Sequence, residues 1–234
     1  MNNLAVITGA SSGIGETLSI KMARIGYYVV LVARSNARLS AVSERIKLEG
    51  GKSIIIKTDL VNESEVSFLR DKVLGLGNVA VLINNAGFGK FDKIEDTDLK
   101  DWDNHININL RSAFLVSKAF VPCMKTKGCG IIVFINSVAG KKGYSSSTAY
   151  VASKYGMRGL ADSLREELRE DGVKVMSVFP GAVNTPFWDI AEVDFEKKEM
   201  LDVNVLCDSI LHAIELPGNC VVEEVLIRRT KGDF

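Results

Sequence analysis

Short apolar runs alternate with amphipathic helical stretches along the whole chain, and this alternation predicts the fold. The apolar runs predict strands at 4–8, 27–33, 53–57, 79–83, 130–136, 173–179 and 221–228. Helical spacing of apolar residues predicts helices at 14–25, 36–49, 63–74, 99–124, 148–170 and 203–215. The strands are short, continuously apolar and rich in Val and Ile, as is typical of strands covered on both faces. We therefore expect an α/β fold, a doubly wound parallel sheet of about seven strands with helices on both faces.

The length and even pattern of the chain predict a single domain over residues 1–234. Its 234 residues, 47% of them hydrophobic, are enough for one well-packed core. The sequence has no internal repeat, low-complexity tract or linker.

The balance of charges excludes several classes of partner. Lys and Arg together number 29, as do Asp and Glu, and the pI is about 6.7. Without a basic excess, we expect neither nucleic acid nor an anionic membrane as a partner. The apolar runs are too short to span a bilayer, and the first residues run straight into a predicted strand, so we expect no signal peptide and a cytoplasmic location.

The cysteines and histidines argue against a metal site. The four cysteines lack metal-ligand spacing, and we interpret them as reduced thiols. The two histidines, His105 and His212, are too few for a His-rich site, and we interpret His105 as structural.

A glycine-rich stretch with the spacing Gly-x3-Gly-x-Gly follows the first predicted strand. Glycines allow a tight turn and a close approach to a pyrophosphate, and the next helix offers free N–H groups and the positive end of its dipole. An ordinary glycine-rich turn is the alternative. The candidate cofactor-binding residues here are Gly9, Ser11, Ser12, Gly13, Ile14 and Gly15.

The end of the second predicted strand bears on the choice between NAD and NADP. An acid there would hold the ribose 2′-hydroxyl, whereas this chain has Arg34 and no acid before Glu44. A guanidinium pairs with phosphate and stacks on adenine, so Arg34 favours NADP over NAD. The alternative is a solvated arginine at a helix start.

Tyr150 and Lys154 lie four residues apart in a predicted helix and therefore project from one face. Tyr titrates at about pH 10, and a neighbouring ammonium lowers the cost of a tyrosinate. Such a pair suits proton transfer to or from a carbonyl or alcohol oxygen. Because Tyr-x3-Lys also occurs by chance, the pair indicates catalysis only together with Ser137 and the glycine-rich stretch.

Four motifs follow one another along the chain: the glycine-rich stretch, Asn84-Asn85-Ala86-Gly87, Ser137, and Tyr150-x3-Lys154. In this order they resemble the short-chain dehydrogenase/reductase family, over essentially the whole length. The resemblance implies a Rossmann-type fold and an oxidoreductase that uses a nicotinamide cofactor.

The resemblance also implies cofactor contacts. Asp59 and Leu60 match positions that meet the adenine ring, although Asp59 could instead cap a helix. The stretch that stabilises the sheet and lines the adenosine ribose corresponds to Asn85, Ala86 and Gly87. Contacts to the nicotinamide half correspond to Pro180, Gly181, Val183 and Thr185, the last of which could also be a cap.

The catalytic roles come from the same resemblance. Tyr150 would deliver a proton to the substrate oxygen while hydride arrives from NADPH, and Ser137 would donate a hydrogen bond to that oxygen. Lys154 would hold the nicotinamide ribose and keep the tyrosine acidic. Asn109 would bend its helix and hold a water in the proton relay. Alternatively, Ser137 is a turn residue and Asn109 a satisfied buried amide.

Residues beside these motifs predict a largely apolar pocket for a medium-sized ketone or aldehyde. They are Phe88, Lys90, Val138, Ala139, Tyr144, Ala182, Phe187 and Trp188. Lys90 or Lys141 could meet an anionic group of the substrate, and 186–200 is a candidate mobile lid. The resemblance implies a homodimer or homotetramer through the helices at 99–124 and 148–170.

We therefore expect an NADPH-dependent carbonyl reductase. A dehydrogenase acting on a hydroxy acid, sugar alcohol or steroid, and a 3-oxoacyl-thioester reductase, remain open. An alternative of another class is a regulator that senses NADPH without chemistry. Such proteins commonly lose the tyrosine or the lysine, and both are present here.

Overall fold

The computed structural model describes residues 2–191 and 197–232. In these ranges the strands are β1 Asn2–Thr8, β2 Tyr28–Ala33, β3 Lys52–Lys57, β4 Gly77–Asn84, β5 Gly130–Ile135, β6 Val173–Pro180 and β7 Glu224–Ile227. The α-helices are α1 Gly13–Arg24, α2 Asn36–Leu48, α3 Glu63–Leu74, α4 Leu99–His105, α5 Ser112–Lys127, α6 Thr148–Leu168, α7 Phe187–Ile190 and α8 Val203–Ile214. Short 3-10 turns lie at Ile94–Asp96, Val138–Gly140 and Lys197–Glu199, and a π-helical segment spans Ile106–Arg111.

Within the described ranges, the seven strands form one parallel sheet in the order β3-β2-β1-β4-β5-β6-β7. The order reverses direction between β1 and β4. In a sheet of this kind, the crevice at the carboxyl ends of the strands beside such a switch point is where ligands bind. The predicted doubly wound parallel sheet is therefore confirmed.

Two separate apolar cores lie on the two faces of the sheet. In β1, Ala5 and Ile7 face the core formed with α1, α2 and α8, whereas Leu4 and Val6 face the core formed with α3, α5 and α6. All four side chains are fully buried. Because both faces are covered, the strands appear continuously apolar in the sequence.

Two predicted elements differ from the structure. The helix predicted at 99–124 is α4 and α5, joined by the π-helical segment, and α5 continues to Lys127. The strand predicted at 221–228 is only Glu224–Ile227, because β7 is an edge strand that pairs with β6 over these four residues. The predicted lid at 186–200 contains α7 and the last 3-10 turn, and 192–196 lie outside the described residues.

No helix among the described residues combines the length and the apolar character that a membrane span requires.

Candidate active site

A cavity of about 1050 Å³ opens at the carboxyl ends of the central strands. It extends from the β2–α2 junction, past the glycine-rich loop after β1, to the segments that follow β5 and β6. Eighteen of the predicted site residues line it: Gly9, Ser11, Ser12, Gly13, Ile14, Arg34, Asp59, Leu60, Asn85, Ala86, Gly87, Ser137, Tyr150, Lys154, Pro180, Gly181, Val183 and Thr185.

The glycine-rich loop needs glycine at three positions. Gly9 and Gly13 have φ of 64° and 55°, in the left-handed region that side chains disfavour. A Cβ on Gly15 would lie 2.3 Å from the carbonyl oxygen of Gly9, so Gly15 supports the loop from below and does not line the cavity. The loop thus exposes backbone at the N-terminus of α1, and this cradle fits a pyrophosphate.

Asn85 and Thr8 fasten the loop to β4. The Thr8 hydroxyl accepts hydrogen bonds from the N–H groups of Asn85 at 2.9 Å and Ala86 at 3.1 Å. The Asn85 amide donates to the carbonyl oxygens of Thr8 at 2.9 Å and Gly9 at 3.2 Å. Sequence reasoning missed Thr8, because its role depends on a neighbouring strand more than seventy residues away.

The end of the cavity at the β2–α2 junction is basic. Arg34, which precedes α2, lines it together with Arg38 in the first turn of α2. Arg38 was missed, although its spacing of four from Arg34 was visible. Asp59 also lies here, and it does not cap α3, because the side chain of Asn62 accepts from the N–H groups of the first turn.

Tyr150, Ser137 and Lys154 meet on the floor of the cavity. The Ser137 hydroxyl accepts from the Ala139 N–H at 3.1 Å, and it hydrogen-bonds the hydroxyl of Tyr150. Lys154 is buried, and its ammonium donates to the Ile135 carbonyl oxygen at 3.1 Å. The ammonium nitrogen lies 5.7 Å from the centre of the Tyr150 ring.

Burial controls the titration of this group. Although Tyr150 is partly exposed to the cavity, burial raises its pKa to about 12, and the hydrogen bond with Ser137 opposes that rise. Burial lowers the pKa of Lys154 to about 8. Burial and the Ser137 hydrogen bond are the effects that shift the pKa of Tyr150 here, and the expectation that Lys154 keeps the tyrosine acidic stays a prediction.

Asn109 lies in the π-helical segment and is completely buried. Its side-chain oxygen accepts from the Phe88 N–H at 2.7 Å, while its amide nitrogen donates to the Phe88 carbonyl oxygen at 3.0 Å and to the Ser153 hydroxyl at 2.9 Å. This amide ties the loop after β4 to α6. It corresponds to the satisfied-amide alternative, and the water relay stays a prediction.

The wall beside Tyr150 is aromatic, but two of its predicted members lie elsewhere. Phe88 packs on the ring of His105 at 4.7 Å, and the Lys90 ammonium pairs with the Asp101 carboxylate at 2.6 Å. Phe91 lines the cavity instead and packs edge-on against the Tyr150 ring, with the ring centres 5.3 Å apart. The other predicted wall residues do line it: Val138, Ala139, Tyr144, Ala182, Phe187 and Trp188.

The two lysines that were candidates for binding an anionic group of the substrate form salt bridges with carboxylates of the protein. Lys90 pairs with Asp101 and, at 3.6 Å, with Asp92. Lys141 pairs with Glu224 at 2.6 Å. Because a carboxylate already satisfies each ammonium, the structure does not support either lysine as an anchor for an anionic group.

Comparison with known proteins identifies the family. The model of the family described as short chain dehydrogenase matches residues 3–194, most of the chain. The chain belongs to the short-chain dehydrogenase family. It is thus an oxidoreductase that uses a nicotinamide cofactor.

Two relatives of this short-chain dehydrogenase match it over nearly its full length. The sepiapterin reductase of Chlorobaculum tepidum is 32% identical over 242 residues, covering 100% of this chain and 99% of the relative. An uncharacterized oxidoreductase of Staphylococcus saprophyticus is 32% identical over 231 residues, or 97% of each chain.

Solved structures of other family members share the fold of this short-chain dehydrogenase. A metagenomic short-chain oxidoreductase in complex with NADP has a TM-score of 0.86 at 33% identity, covering 97% of both chains. An alcohol dehydrogenase from the archaeon Thermococcus sibiricus, complexed with 5-hydroxy-NADP, has a TM-score of 0.91 at 29% identity, covering 98% of this chain and 97% of that one. An actinorhodin polyketide ketoreductase with NADPH has a TM-score of 0.90 at 26% identity, covering 100% of this chain and 98% of that one.

Proposed function

We propose that this protein reduces the carbonyl group of a ketone or aldehyde to an alcohol with NADPH. The observation that carries the proposal is the position of the Tyr150 hydroxyl. It hydrogen-bonds Ser137 on the floor of a cavity that continues to the glycine-rich loop. The Tyr150 hydroxyl, a proton donor, therefore lies in the same cavity as the glycine-rich loop that fits a dinucleotide and the aromatic side chains of the wall.

In this proposal the side chains of the protein supply the proton and polarise the carbonyl group of the substrate. NADPH, when bound, supplies the hydride that reaches the carbonyl carbon. Tyr150 gives its proton to the carbonyl oxygen, and Ser137 hydrogen-bonds that oxygen as negative charge develops. Lys154, buried beside Tyr150, would hold the ribose hydroxyls of the cofactor and return a proton to the tyrosine. A relay beyond Lys154 through Asn109 belongs to this proposal, and Asn109 lies in a π-helical segment, a feature that is frequent at functional sites.

Tyr150 is in its protonated form at neutral pH, because burial raises its pKa to about 12. This is the form that donates to a carbonyl oxygen in the reducing direction. Oxidation of an alcohol needs the tyrosinate as base, so we expect the rate of any dehydrogenase activity on a hydroxy acid, sugar alcohol or steroid to rise with pH.

The preference for NADP over NAD rests on Arg34 and Arg38. Both side chains line the cavity at the β2–α2 junction, where a guanidinium can pair with a 2′-phosphate. Asp59 is the one acid among the described residues that line the cavity. The three similar solved structures, which contain NADP, 5-hydroxy-NADP and NADPH, give further support.

The wall beside Tyr150 favours a substrate with an apolar or planar group next to its carbonyl. Phe91 and Trp188 lie nearly parallel, with ring centres 6.0 Å apart, and Phe187 lies 6.2 Å from the Tyr150 ring. Aromatic faces of this kind gain from stacking and from burial of apolar area. A ring-bearing ketone or a diketone fits this wall better than a sugar.

The test is the oxidation of NADPH and NADH with ketones, aldehydes, diketones and acyl thioesters, with Tyr150→Phe as the control. We expect NADPH consumption that depends on Tyr150 and is fastest with apolar or ring-bearing carbonyl compounds. Consumption that survives in Tyr150→Phe would contradict the assignment. Tight NADPH binding without turnover of any compound would support the sensor alternative.

A further inference from the structure

His105, the last residue of α4, is buried and uses both of its ring nitrogens. Nδ1 lies 2.7 Å from the main-chain oxygen of Asp101, and Nε2 accepts from the main-chain N–H of Lys90 at 3.1 Å. A carbonyl oxygen can only accept and an N–H can only donate. The ring must therefore be neutral, with its proton on Nδ1, for both hydrogen bonds to form.

These bonds fasten the β4 loop, which we define as residues 87–92, to α4. Asn109 holds the loop at Phe88, and His105 holds it two residues later at Lys90. The next residue, Phe91, packs edge-on against the ring of catalytic Tyr150. The position of the aromatic wall thus depends on the imidazole of His105.

The surroundings of His105 resist its protonation. Tyr150 and Lys154 face it from α6, with the Tyr150 ring centre 6.1 Å away. Asp101 lies on its own helix, and Lys90 and Asp92 lie on the β4 loop, where the ammonium pairs with both carboxylates. Burial lowers the pKa of His105 most strongly and the charge of Lys154 lowers it further, whereas Asp101 opposes these effects.

We propose that His105 is a positioning residue: its neutral imidazole holds Lys90, and so sets Phe91 against Tyr150. In acid, the added proton on Nε2 repels the Lys90 N–H, and the β4 loop leaves the position that supports turnover. This role rests on the carbonyl reduction proposed above. Tyr150 and Lys154 are both already protonated below neutral pH, so neither accounts for an acid loss of activity.

The first test compares pH profiles of kcat/KM for wild type, His105→Gln, His105→Phe and His212→Gln between about pH 5 and about pH 8. Wild type and the His212 control, which alters the exposed second histidine, should lose activity in acid. His105→Gln keeps an acceptor for Lys90 but does not titrate, so its profile should stay flat in acid. His105→Phe keeps a ring but no acceptor and should lower kcat/KM about tenfold at every pH.

The second test needs no turnover. The chain has two tryptophans, Trp102 and Trp188, and Trp188 stacks on Phe91. In a Trp102→Phe background, the emission of Trp188 should change as the pH falls and the β4 loop moves. The added change His105→Gln should abolish this transition, and thermal unfolding monitors whether each variant is folded.

The outcomes separate the two proposals. An acid loss of activity or an emission change that persists in His105→Gln overturns the role of His105 while leaving the reductase intact. A Trp188 emission that does not respond to pH in the Trp102→Phe background also overturns it. An emission transition that depends on His105, in a protein that reduces no carbonyl compound, keeps the loop attachment and removes the reductase.

Discussion

At the scale of single residues, the active site depends on what burial does to two side chains. The four-residue spacing places Tyr150 and Lys154 on one helix face, and this much follows from sequence. The direction of their pKa shifts does not, because it depends on how the surrounding strands and loops exclude water. Burial holds the tyrosine neutral and makes the charged lysine costly.

Replacing Lys154 by Met tests this cost. In the folded wild-type protein the pKa of Lys154 is about 8, below the ordinary value of 10.5. Between these two pH values the unfolded chain binds more protons than the folded one, so the stability of the wild type rises with pH across that window. Relative to wild type, Lys154→Met should be stabilised at neutral pH by up to about 3 kcal/mol, and this gain should shrink above pH 8. Urea unfolding at several pH values measures the difference.

The exposed Lys72 on α3 provides the control, since Lys72→Met should show no such trend. A stability difference between Lys154→Met and wild type that does not vary with pH would contradict the buried charge.

Replacing Gly89 by Ala tests the aromatic wall. A Cβ on Gly89 would lie 2.3 Å from the end of the Phe187 ring, which must swing aside. Because a flexible side chain can move, we expect a stability loss of about 1 kcal/mol or less, with kcat/KM for ring-bearing carbonyls changed several-fold. Steady-state kinetics and thermal unfolding measure the two effects.

Gly143 has open space around its position, so Gly143→Ala is the matched control and should behave as wild type. In a Phe187→Ala background, Gly89→Ala should have no further effect on kcat/KM. An undiminished effect there would show that the Phe187 ring is not what the new methyl group moves.

At the scale of elements, sequence periodicity predicted strands and helices well but did not show how one helix is built, although the family resemblance implied a bend at Asn109. The stretch at 99–124 reads as one helix, and the apolar pattern carries no sign of the wider turn at Ile106–Arg111. That turn is fixed by contacts between distant segments, including those of Asn109 with the β4 loop and with α6. Phe91 was missed for the same reason, since only the folded loop shows which of its side chains reaches Tyr150.

The β2–α2 junction carries the prediction on cofactor choice. Arg34→Ala should weaken NADPH binding about tenfold or more and leave NADH binding nearly unchanged, because a charge-assisted hydrogen bond to the 2′-phosphate is lost. Arg38→Ala should act in the same direction, and Arg34→Asp should reverse the preference. Titration calorimetry with each cofactor measures this.

The partly exposed Arg70 on α3 lies outside the cavity, and Arg70→Ala should bind both cofactors as wild type does. Equal losses of NADPH and NADH affinity in Arg34→Ala would mean that the guanidinium contacts a part common to both cofactors.

At the scale of the whole molecule, the doubly wound parallel sheet and its cover of helices on both faces followed from the alternation of elements, whereas the strand order comes from the structure. Assembly is less visible in the sequence. Large apolar side chains remain exposed on the same face of the sheet as α5 and α6: Leu99, Trp102, Phe114 and Tyr155. These residues are candidates for the interface of the predicted homodimer or homotetramer.

Phe114→Glu should therefore convert an oligomer to smaller species in light scattering, because a charge would be buried at the interface. Leu48→Glu, at an exposed position of α2 on the opposite face of the sheet, should leave the oligomer intact. A wild-type protein that is monomeric at micromolar concentration would remove the assembly prediction.

The most direct test of carbonyl reduction follows deuterium from NADPH in which both hydrogens of the reactive carbon are replaced by deuterium, with a ring-bearing ketone as substrate. The account predicts deuterium on the carbinol carbon of the product alcohol with wild-type protein. With Tyr150→Phe, NADPH should still bind while the labelled alcohol disappears. Product without deuterium, or labelled product formed equally well by Tyr150→Phe, would contradict it.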